Sequence, residues 1–285
     1  MQRRSLLSLA ALPMLHAANP AAAQATTAGG GRVLTTTTPA ARLHSYISPA
    51  AAAHVAAHVI EGPTGLVLVD GGWTPEAGQD IRALLTSLGK PVQAVLLSHF
   101  HPDHWAGLAA AGLPEVLAGP TTAALVQKAG PAMAAAQKQP TTVPRVAIQP
   151  PGPLRLAGVD LLVSYVADTE APEIMTVEIP GAATIIVQDI FYNRVHAYVS
   201  RQLDAWIAAL KGLESRGPTT FLVGHGEPAT AREIPRLIAY LETIRPLVAT
   251  GTPNQAAVVA EMVRLFPDFA APDLLALSLS RLPPA

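Results

Sequence analysis

Apolar runs of strand length alternate along the chain with stretches whose apolar residues recur at helical period, a pattern that predicts an α/β fold. Residues 54–60 and Leu66–Asp70 have the composition of two strands joined by the turn Glu61-Gly62-Pro63-Thr64-Gly65. After Asp70-Gly71-Gly72, Thr74 and Pro75 stand where an N-cap and a first helical residue belong. Ile81, Leu84, Leu85 and Leu88 then form one face of a helix that stops at Gly89. Val92–Ser98 is a short apolar run of the kind found in strands buried on both faces. A helix is expected over about Asp103–Ala110, and another over Thr121–Gln137, interrupted at Gly130-Pro131.

Residues 138–153 are rich in proline and lack periodicity, so they are expected to connect two halves. Val159–Val166, Ile174–Ile179 and Thr184–Gln188 predict three further strands. Two helices carry apolar stripes, Leu203, Trp206, Ile207, Leu210 and Leu213 in one, Ile234, Leu237, Ile238, Leu241 and Ile244 in the other. Between them Phe221-Leu222-Val223 forms a short strand ending at Gly224-His225-Gly226. Each half thus gives strands, then a helix, then a strand whose end carries His. Apolar helical turns between Gln255 and Leu282 suit either a cover for a sheet or self-association.

Composition narrows the chemistry. The 285 residues include no Cys, which excludes disulfide scaffolds, Fe–S clusters, thiolate zinc sites and Cys nucleophiles, so any metal sits on His, Asp or Glu. Nineteen Lys and Arg against 20 Asp and Glu leave a formal net charge of −1, with no basic footprint for nucleic acid. At the N-terminus Arg3 and Arg4 precede an apolar stretch from Leu6 to Leu15, and Ala23-Gln24-Ala25 fits a small-residue cleavage site. Residues 1–25 are therefore expected to be a cleaved signal peptide of twin-arginine or ordinary secretory type, placing residues 26–285, a single domain, in the periplasm or outside the cell. Past residue 25 no uncharged apolar run reaches the roughly 18–20 residues that span a bilayer, so no membrane partner is expected after cleavage.

The informative segment is Ser98-His99-Phe100-His101-Pro102-Asp103-His104-Trp105-Ala106-Gly107. His99 and His101 are two residues apart at a strand end and project to one side. Pro102 breaks the extension and brings Asp103 and His104 beside the same point from another direction. Four ligand-type side chains within six residues exceed what one tetrahedral ion needs from so short a segment, which suggests two metals. The bland alternative, polar residues hydrogen-bonded at a strand end, sits poorly with three of the chain's nine His in one hexapeptide.

These residues match the H-x-H-x-D-H motif in full, and the chain resembles the metallo-β-lactamase superfamily. The resemblance implies a four-layer αββα sandwich with a metal site at one edge of its two sheets. It implies that Asp70, closing the second strand, orients the ligands from behind; that His225, after a short strand between glycines, is a ligand; and that Asp189, after the strand Thr184–Gln188, bridges two cations. The third motif departs from most of the family. Where a His is usual, this chain has Ala167-Asp168-Thr169-Glu170-Ala171-Pro172-Glu173, similar to the alkylsulfatase branch, in which a Glu is the ligand. Glu170 is the expected ligand, with Asp168 and Glu173 as substitutes.

Assembled on that resemblance, one metal takes His99, His101 and Glu170, the other Asp103, His104 and His225, with Asp189 and a bridging hydroxide shared between them. Two divalent ions are implied, zinc first, with Mn or Fe favoured more than usual because Glu170 adds a negative charge. The expected activity is that of an exported binuclear hydrolase acting on a small ester, lactone, amide or β-lactam, or sulfate ester. The other readings are an iron-dependent redox enzyme on the same fold, against which stands His101 where the flavodiiron pattern needs Glu, and a non-catalytic periplasmic metal- or ligand-binding protein. Asp103 and His196 are the candidate catalytic side chains, His196 as substrate contact or acid. Trp73, Phe100 and Trp105 are candidate pocket walls, Arg194 either steers an anion or is merely solvated, and His54 and His58 are expected to be structural. No G-x-S-x-G elbow, P-loop or G-x-G-x-x-G is present.

Overall fold

The computed structural model describes residues 23–249 and 254–282. Eight strands form the first sheet in chain order: β1 (Ala23–Thr26), β2 (Arg32–Thr37), β3 (Arg42–Ile47), β4 (Ala56–Glu61), β5 (Leu66–Val69), β6 (Val92–Leu96), β7 (Glu115–Ala118) and β8 (Arg145–Ile148). Pairing is antiparallel from β1 to β5 and parallel from β5 to β8. The parallel steps require crossovers, supplied by α1 (Pro75–Leu88), the short α2 (Leu108–Ala111) and α3 (Pro120–Ala136). The second sheet is β13-β12-β11-β10-β9, built from β9 (Gly152–Leu156), β10 (Val159–Ala167), β11 (Glu173–Ile179), β12 (Thr184–Tyr192) and β13 (Thr220–His225). Helix α4 (Leu203–Ser215) makes the one parallel crossover there, and α5 (Ile234–Ala249), α6 (Gln255–Leu265) and α7 (Pro272–Arg281) follow.

Period-two alternation sorts side chains into layers. On β5, Leu66 and Leu68 pack outward with Ile81 and Leu85 of α1, while Val67 and Val69 face Val163, Val177 and Ile186 of the other sheet. On β13, Leu222 joins that inter-sheet core while Phe221 and Val223 pack against Trp206, Leu210, Leu237 and Leu241 of α4 and α5. Helices therefore cover both outer faces of two packed sheets, an αββα order. No helix among the described residues is long and apolar enough to cross a membrane.

Helix α1 starts and stops where the sequence signals it, with Thr74 Oγ1 accepting from Ala77 N at 3.2 Å and Gly89 left-handed at its end. Elsewhere the structure corrects the expectations. Strands β2 and β3 were not anticipated, and residues 138–153 contain β8 and the start of β9 rather than a plain connection. The first half of β6 is partly exposed instead of buried on both faces, because β6 meets β7 through a single register pair, Leu96 with Leu117. The helix expected over Asp103–Ala110 is a 3₁₀ turn at Pro102–His104 followed by α2. Gly107 N donates to Gly72 O between them, and a Cβ there would lie 2.3 Å from Gly71 O. Helix α3 runs through Pro131 without interruption, held by the buried positions Val126, Gly130 and Ala134. Strand β12 extends to Tyr192, so Asp189 lies within it rather than after it. Of the expected signal peptide, residues 1–22 lie outside the described residues, and the cleavage-site residues Ala23–Ala25 belong to β1, paired with β2.

Two imidazoles are built into the core. His58 on β4 hydrogen-bonds Ser45 Oγ at 3.0 Å and Val223 O at 2.9 Å, joining the first sheet to the second, and its burial lowers its pKa to about 4. His196 sits among the helices over the second sheet, 3.2 Å from Tyr240 Oη and edge-on to Phe269, and burial likewise lowers it to about 4. A His depressed in the folded state keeps its full contribution above the unfolded value near 6.5, and loses it as pH falls toward 4, where the unfolded chain takes up the proton first. The urea midpoint is expected to fall between pH 7 and pH 5. His196→Phe should reduce the accompanying loss of unfolding free energy by on the order of 1–2 kcal/mol, measured as the difference between variant and wild type at the two pH values; an equal loss in both proteins would contradict it.

Candidate metal centre

The centre is assembled where loops leave one end of both sheets. At the end of β5 the chain turns through Asp70, whose φ is +64°, so that its carboxylate points inward. Asp70 Oδ1 accepts from Ser98 N at 2.8 Å. Its Oδ2 accepts from Ser98 Oγ at 2.6 Å, His104 Nδ1 at 2.7 Å and Gln188 Nε2. Donation from Nδ1 orients the His104 ring and turns Nε2 to the cavity. Backbone stitches hold the same edge: Met175 N donates to Ser98 O, Gly71 N to His104 O, and Gly226 N to His54 O.

Seven side chains converge there in two groups. The ligand atoms of His99, His101 and Glu170 all lie within 4.8 Å of one another, as do those of Asp103, His104, Asp189 and His225. In the first group His101 Nδ1 is 2.9 Å from Glu170 Oε1 and His99 Nε2 is 3.5 Å from Glu170 Oε2. In the second, Asp189 Oδ1 is 3.2 Å from His104 Nε2 and its Oδ2 is 3.4 Å from His225 Nε2, while Asp103 Oδ2 lies 3.4 Å from His225 Nε2 and 3.6 Å from His104 Nε2. Asp189 Oδ2 also lies 3.8 Å from His99 Nε2, which sets this carboxylate between the groups. A third grouping joins Asp70 to His99 and His104. Both Asp70 oxygens already accept hydrogen bonds, so it serves as support rather than ligand.

Each donor has a local reason to be where it is. Glu170 rides a tight turn in which Asp168, at φ +54°, donates its N–H to Pro172 O, and Ser200 Oγ holds Thr169 O. Of the possible substitutes, Glu173 is engaged by Thr122 N at 2.9 Å and Asp168 is exposed, so Glu170 alone of the three reaches the cluster. His225 ends β13 with Nδ1 hydrogen-bonded to Ala53 O at 2.9 Å, which turns Nε2 inward. The glycine before it is required, since a Cβ at Gly224 would sit 1.8 Å from Asp189 Oδ1.

Burial and charge shape the protonation states. Burial pushes Glu170 up to about 7, with Asp189 and Asp103 adding to the rise against the pull of His101. His99 is held well below its usual value by burial and by His104 and His101. Burial opposes protonation of His104 and His225 too, but the carboxylates outweigh it. Asp189, Asp103 and Asp70 raise His104 well above its usual value, and Asp189 and Asp103 raise His225 to about 9. So many buried charged groups of one kind and the other need a further partner. His104 Nε2, Glu170 Oε1 and Oε2, Asp189 Oδ1 and His225 Nε2 are all buried without a hydrogen bond, and all belong to the two groups. Buried imidazole nitrogens and carboxylate oxygens without hydrogen-bond partners, aimed at common points, are what divalent cations satisfy on displacing any proton, so the residues present fit a metal centre.

Some expected contributors lie elsewhere. His196 is carried away from the cavity by a turn at Arg194, φ +55°, and ends against Tyr240 and Phe269, so the structure does not bring it to the cluster. Arg194 lies on the exterior, 3.8 Å from Asp268. Trp73 does wall the cavity, its Nε1 donating to Gln137 Oε1, and the Phe100 ring packs 4.3 Å from that of His101. Trp105 is fully buried beneath, donating to Phe100 O. His54 is bound to Ser48 O. The sequence reading missed Ser98, Gln188 and Tyr192. The Tyr192 ring stacks on His225 at 4.6 Å and its hydroxyl donates to Asp189 Oδ2, and burial together with Asp189 holds its pKa well above the usual value, so it remains a donor. Tyr198 and the α7 residues Leu274, Leu277 and Arg281 roof the cavity.

A family model described as the metallo-beta-lactamase superfamily matches residues 52–225. Among solved structures, a metallo-beta-lactamase family protein from Thermus thermophilus superposes with a TM-score of 0.59 at 21% identity, covering 80% of this chain and 88% of that one. A metallo beta lactamase from Erythrobacter litoralis gives 0.58 at 18% identity over 78% of this chain and 100% of that one. A metallo-beta-lactamase from Pontibacter korlensis gives 0.54 at 18%, over 78% and 99%. At these identities the likeness is one of fold. A linear primary-alkylsulfatase from Pseudomonas sp. (strain ATCC 19151) is 38% identical over 53 residues, which is 18% of this chain and only 10% of that enzyme's length. With a family match running through the His99–His104 motif to His225, the chain belongs to the metallo-beta-lactamase superfamily.

Proposed function

We propose that the chain is a binuclear metal-dependent hydrolase of small molecules. The observation that carries this is the set of orphaned donors, five buried atoms of His104, Glu170, Asp189 and His225 in two groups that share an edge at Asp189. His99, His101 and Glu170 would hold one cation, Asp103, His104 and His225 the other, and Asp189 both. Bound there, divalent cations supply Lewis acidity and make water acidic enough to attack near neutral pH without a Ser or Cys nucleophile. Zinc suits the imidazoles; the carboxylate of Glu170 in place of a further imidazole favours harder ions such as Mn or Fe at that position.

The chain's own groups complete the chemistry. Asp70 and Tyr192 lock the orientation of His104, Asp189 and His225, so that little reorganisation accompanies reaction. Asp103 is the carboxylate most open to the cavity, with 14% of its side chain exposed against 2% for Asp189 and none for Glu170. It is therefore placed to accept a proton from attacking water at Oδ and return it to the leaving group. Trp73, Leu274 and Leu277 exclude bulk water from above. The substrate class consistent with this is a small ester, lactone, amide or sulfate ester. With Arg3 and Arg4 ahead of an apolar stretch, the enzyme would work in the periplasm or outside the cell.

Metal analysis of the purified protein is expected to give two equivalents of transition metal per chain, and a value below one rejects the binuclear reading. Chelation should abolish turnover on a panel of chromogenic esters, lactones, β-lactams and sulfate esters. It should also lower the thermal midpoint by several degrees, because a cation bound only by the folded state stabilises it. Asp103→Ala should reduce kcat by about 10²–10⁴-fold while keeping the urea midpoint close to wild type; a near-normal rate would remove Asp103 from the chemistry. Glu170→Ala should lower metal content, and unchanged content and rate would remove Glu170 from the ligand set.

A further inference from the structure

The roof of the cavity carries a residue that the hydrolytic chemistry does not use. Leu274, Leu277 and Arg281 are spaced i, i+3, i+7 on α7, which aligns them on the face turned to the metal centre. Arg281 is the one Lys or Arg among the residues lining that cavity. Tyr198 lines the same cavity, close enough to the Arg281 guanidinium for the two groups to interact, and its hydroxyl is a second potential donor. The Tyr198 ring lies 5.1 Å from that of His101.

On its other side the same Tyr198–Arg281 pair borders a groove of about 350 Å³ that opens between α7 and the segment Val199–Gln202. The two residues stand at the junction of groove and metal centre. The inner cavity itself leaves only about 10 Å³, roughly one water. A molecule whose reacting bond sits at the metal-facing cavity must therefore have most of its bulk outside it, and the groove beside this pair offers that room. The charge at that junction is one-sided. Two divalent cations with a shared hydroxide would balance the three carboxylates Asp103, Glu170 and Asp189 that face the cavity, which leaves the Arg281 guanidinium as the uncompensated charge beside it.

We propose that Arg281 and Tyr198 form a recognition subsite for an oxyanion carried by the substrate, so that this hydrolase acts on small anionic esters or amides, or on sulfate monoesters, in preference to neutral ones. The inference rests on the hydrolase reading above and sharpens its substrate class. The guanidinium supplies a charge-assisted donor fork, Tyr198 a second donor, and Leu274, Leu277 and Trp73 take the apolar carbon next to the charged group.

Two measurements on the metal-loaded protein test this. In the first, kcat/KM is compared for neutral 4-nitrophenyl butyrate, the carboxylate-bearing mono-4-nitrophenyl succinate, and 4-nitrophenyl sulfate. Arg281→Gln should lower the anionic-to-neutral ratio by about ten- to a hundredfold, chiefly through KM, and Arg281→Lys should restore part of it. In the second, calorimetry follows binding of decyl sulfate, decanoate and decanol without turnover. Arg281→Gln should weaken the two anions about tenfold or more relative to decanol. Parallel losses for charged and neutral compounds, or no loss, would overturn the subsite. If the wild type turns over no ester while anion binding still depends on Arg281, the hydrolase reading fails and the subsite stands. Preference for sulfate over carboxylate, or the reverse, identifies which oxyanion it serves.

Discussion

One buried carboxylate organises the edge at which everything else is built. Asp70 accepts from the main chain and hydroxyl of Ser98, from the ring of His104 and from the amide of Gln188, three segments that reach it from different directions. Ser98 belongs to the exit of β6, His104 to the motif turn and Gln188 to the opposite sheet, so a single side chain sets the relative positions of two sheets and one imidazole of the cluster. A fully buried anion is tolerable only when its lone pairs are saturated, and here they are. The left-handed backbone at Asp70 is the cost of aiming it inward, held by Gly71 N on His104 O immediately after.

Behind that anchor the cluster is an electrostatic arrangement that protein groups leave incomplete. Glu170 is driven toward neutrality by burial and by its fellow carboxylates, while His104 and His225 are driven toward protonation by those same carboxylates. Protons satisfy some of this and leave five buried donor atoms without hydrogen bonds. Bound cations would satisfy all of it at once, which makes the cluster, its supports and the roof a coherent unit rather than a chance grouping of polar residues.

How far the sequence disclosed this follows from which signals are local. The His99–His104 motif is contained within six residues, so its spacing alone indicated converging ligands, and the resemblance it triggered led to Glu170, Asp189 and His225. Helix α1 was legible because its cap residues and its apolar face agree. Strands β2 and β3 were not. Their alternation is masked by Thr-rich sequence and by polar residues satisfied only through space, His44 against Glu61 and Ser45 against His58. Tyr192 was invisible for a related reason: three residues from Asp189, it belongs on the other face of a regular strand. Register shifts on either side of Gln188, itself at φ +45°, bring Tyr192 opposite His225. His196, two residues beyond the turn at Arg194, misled because chain proximity to Asp189 does not survive that turn.

The missing side chain at position 224 has a consequence for how the site keeps its dimensions. Asp189 and His225 sit on neighbouring parallel strands, and the bare Cα between them lets the carboxylate lie directly against the next strand's main chain. The place of the Asp189 carboxylate is thereby tied to the main chain of the next strand, about 4.8 Å away, while the bond to Ala53 O sets the His225 ring. A dimension borrowed from hydrogen-bonded backbone resists thermal fluctuation better than one set by long flexible side chains. It also means that the Asp189 end of the site is adjustable only by remaking the sheet, whereas the α7 roof lies outside that sheet.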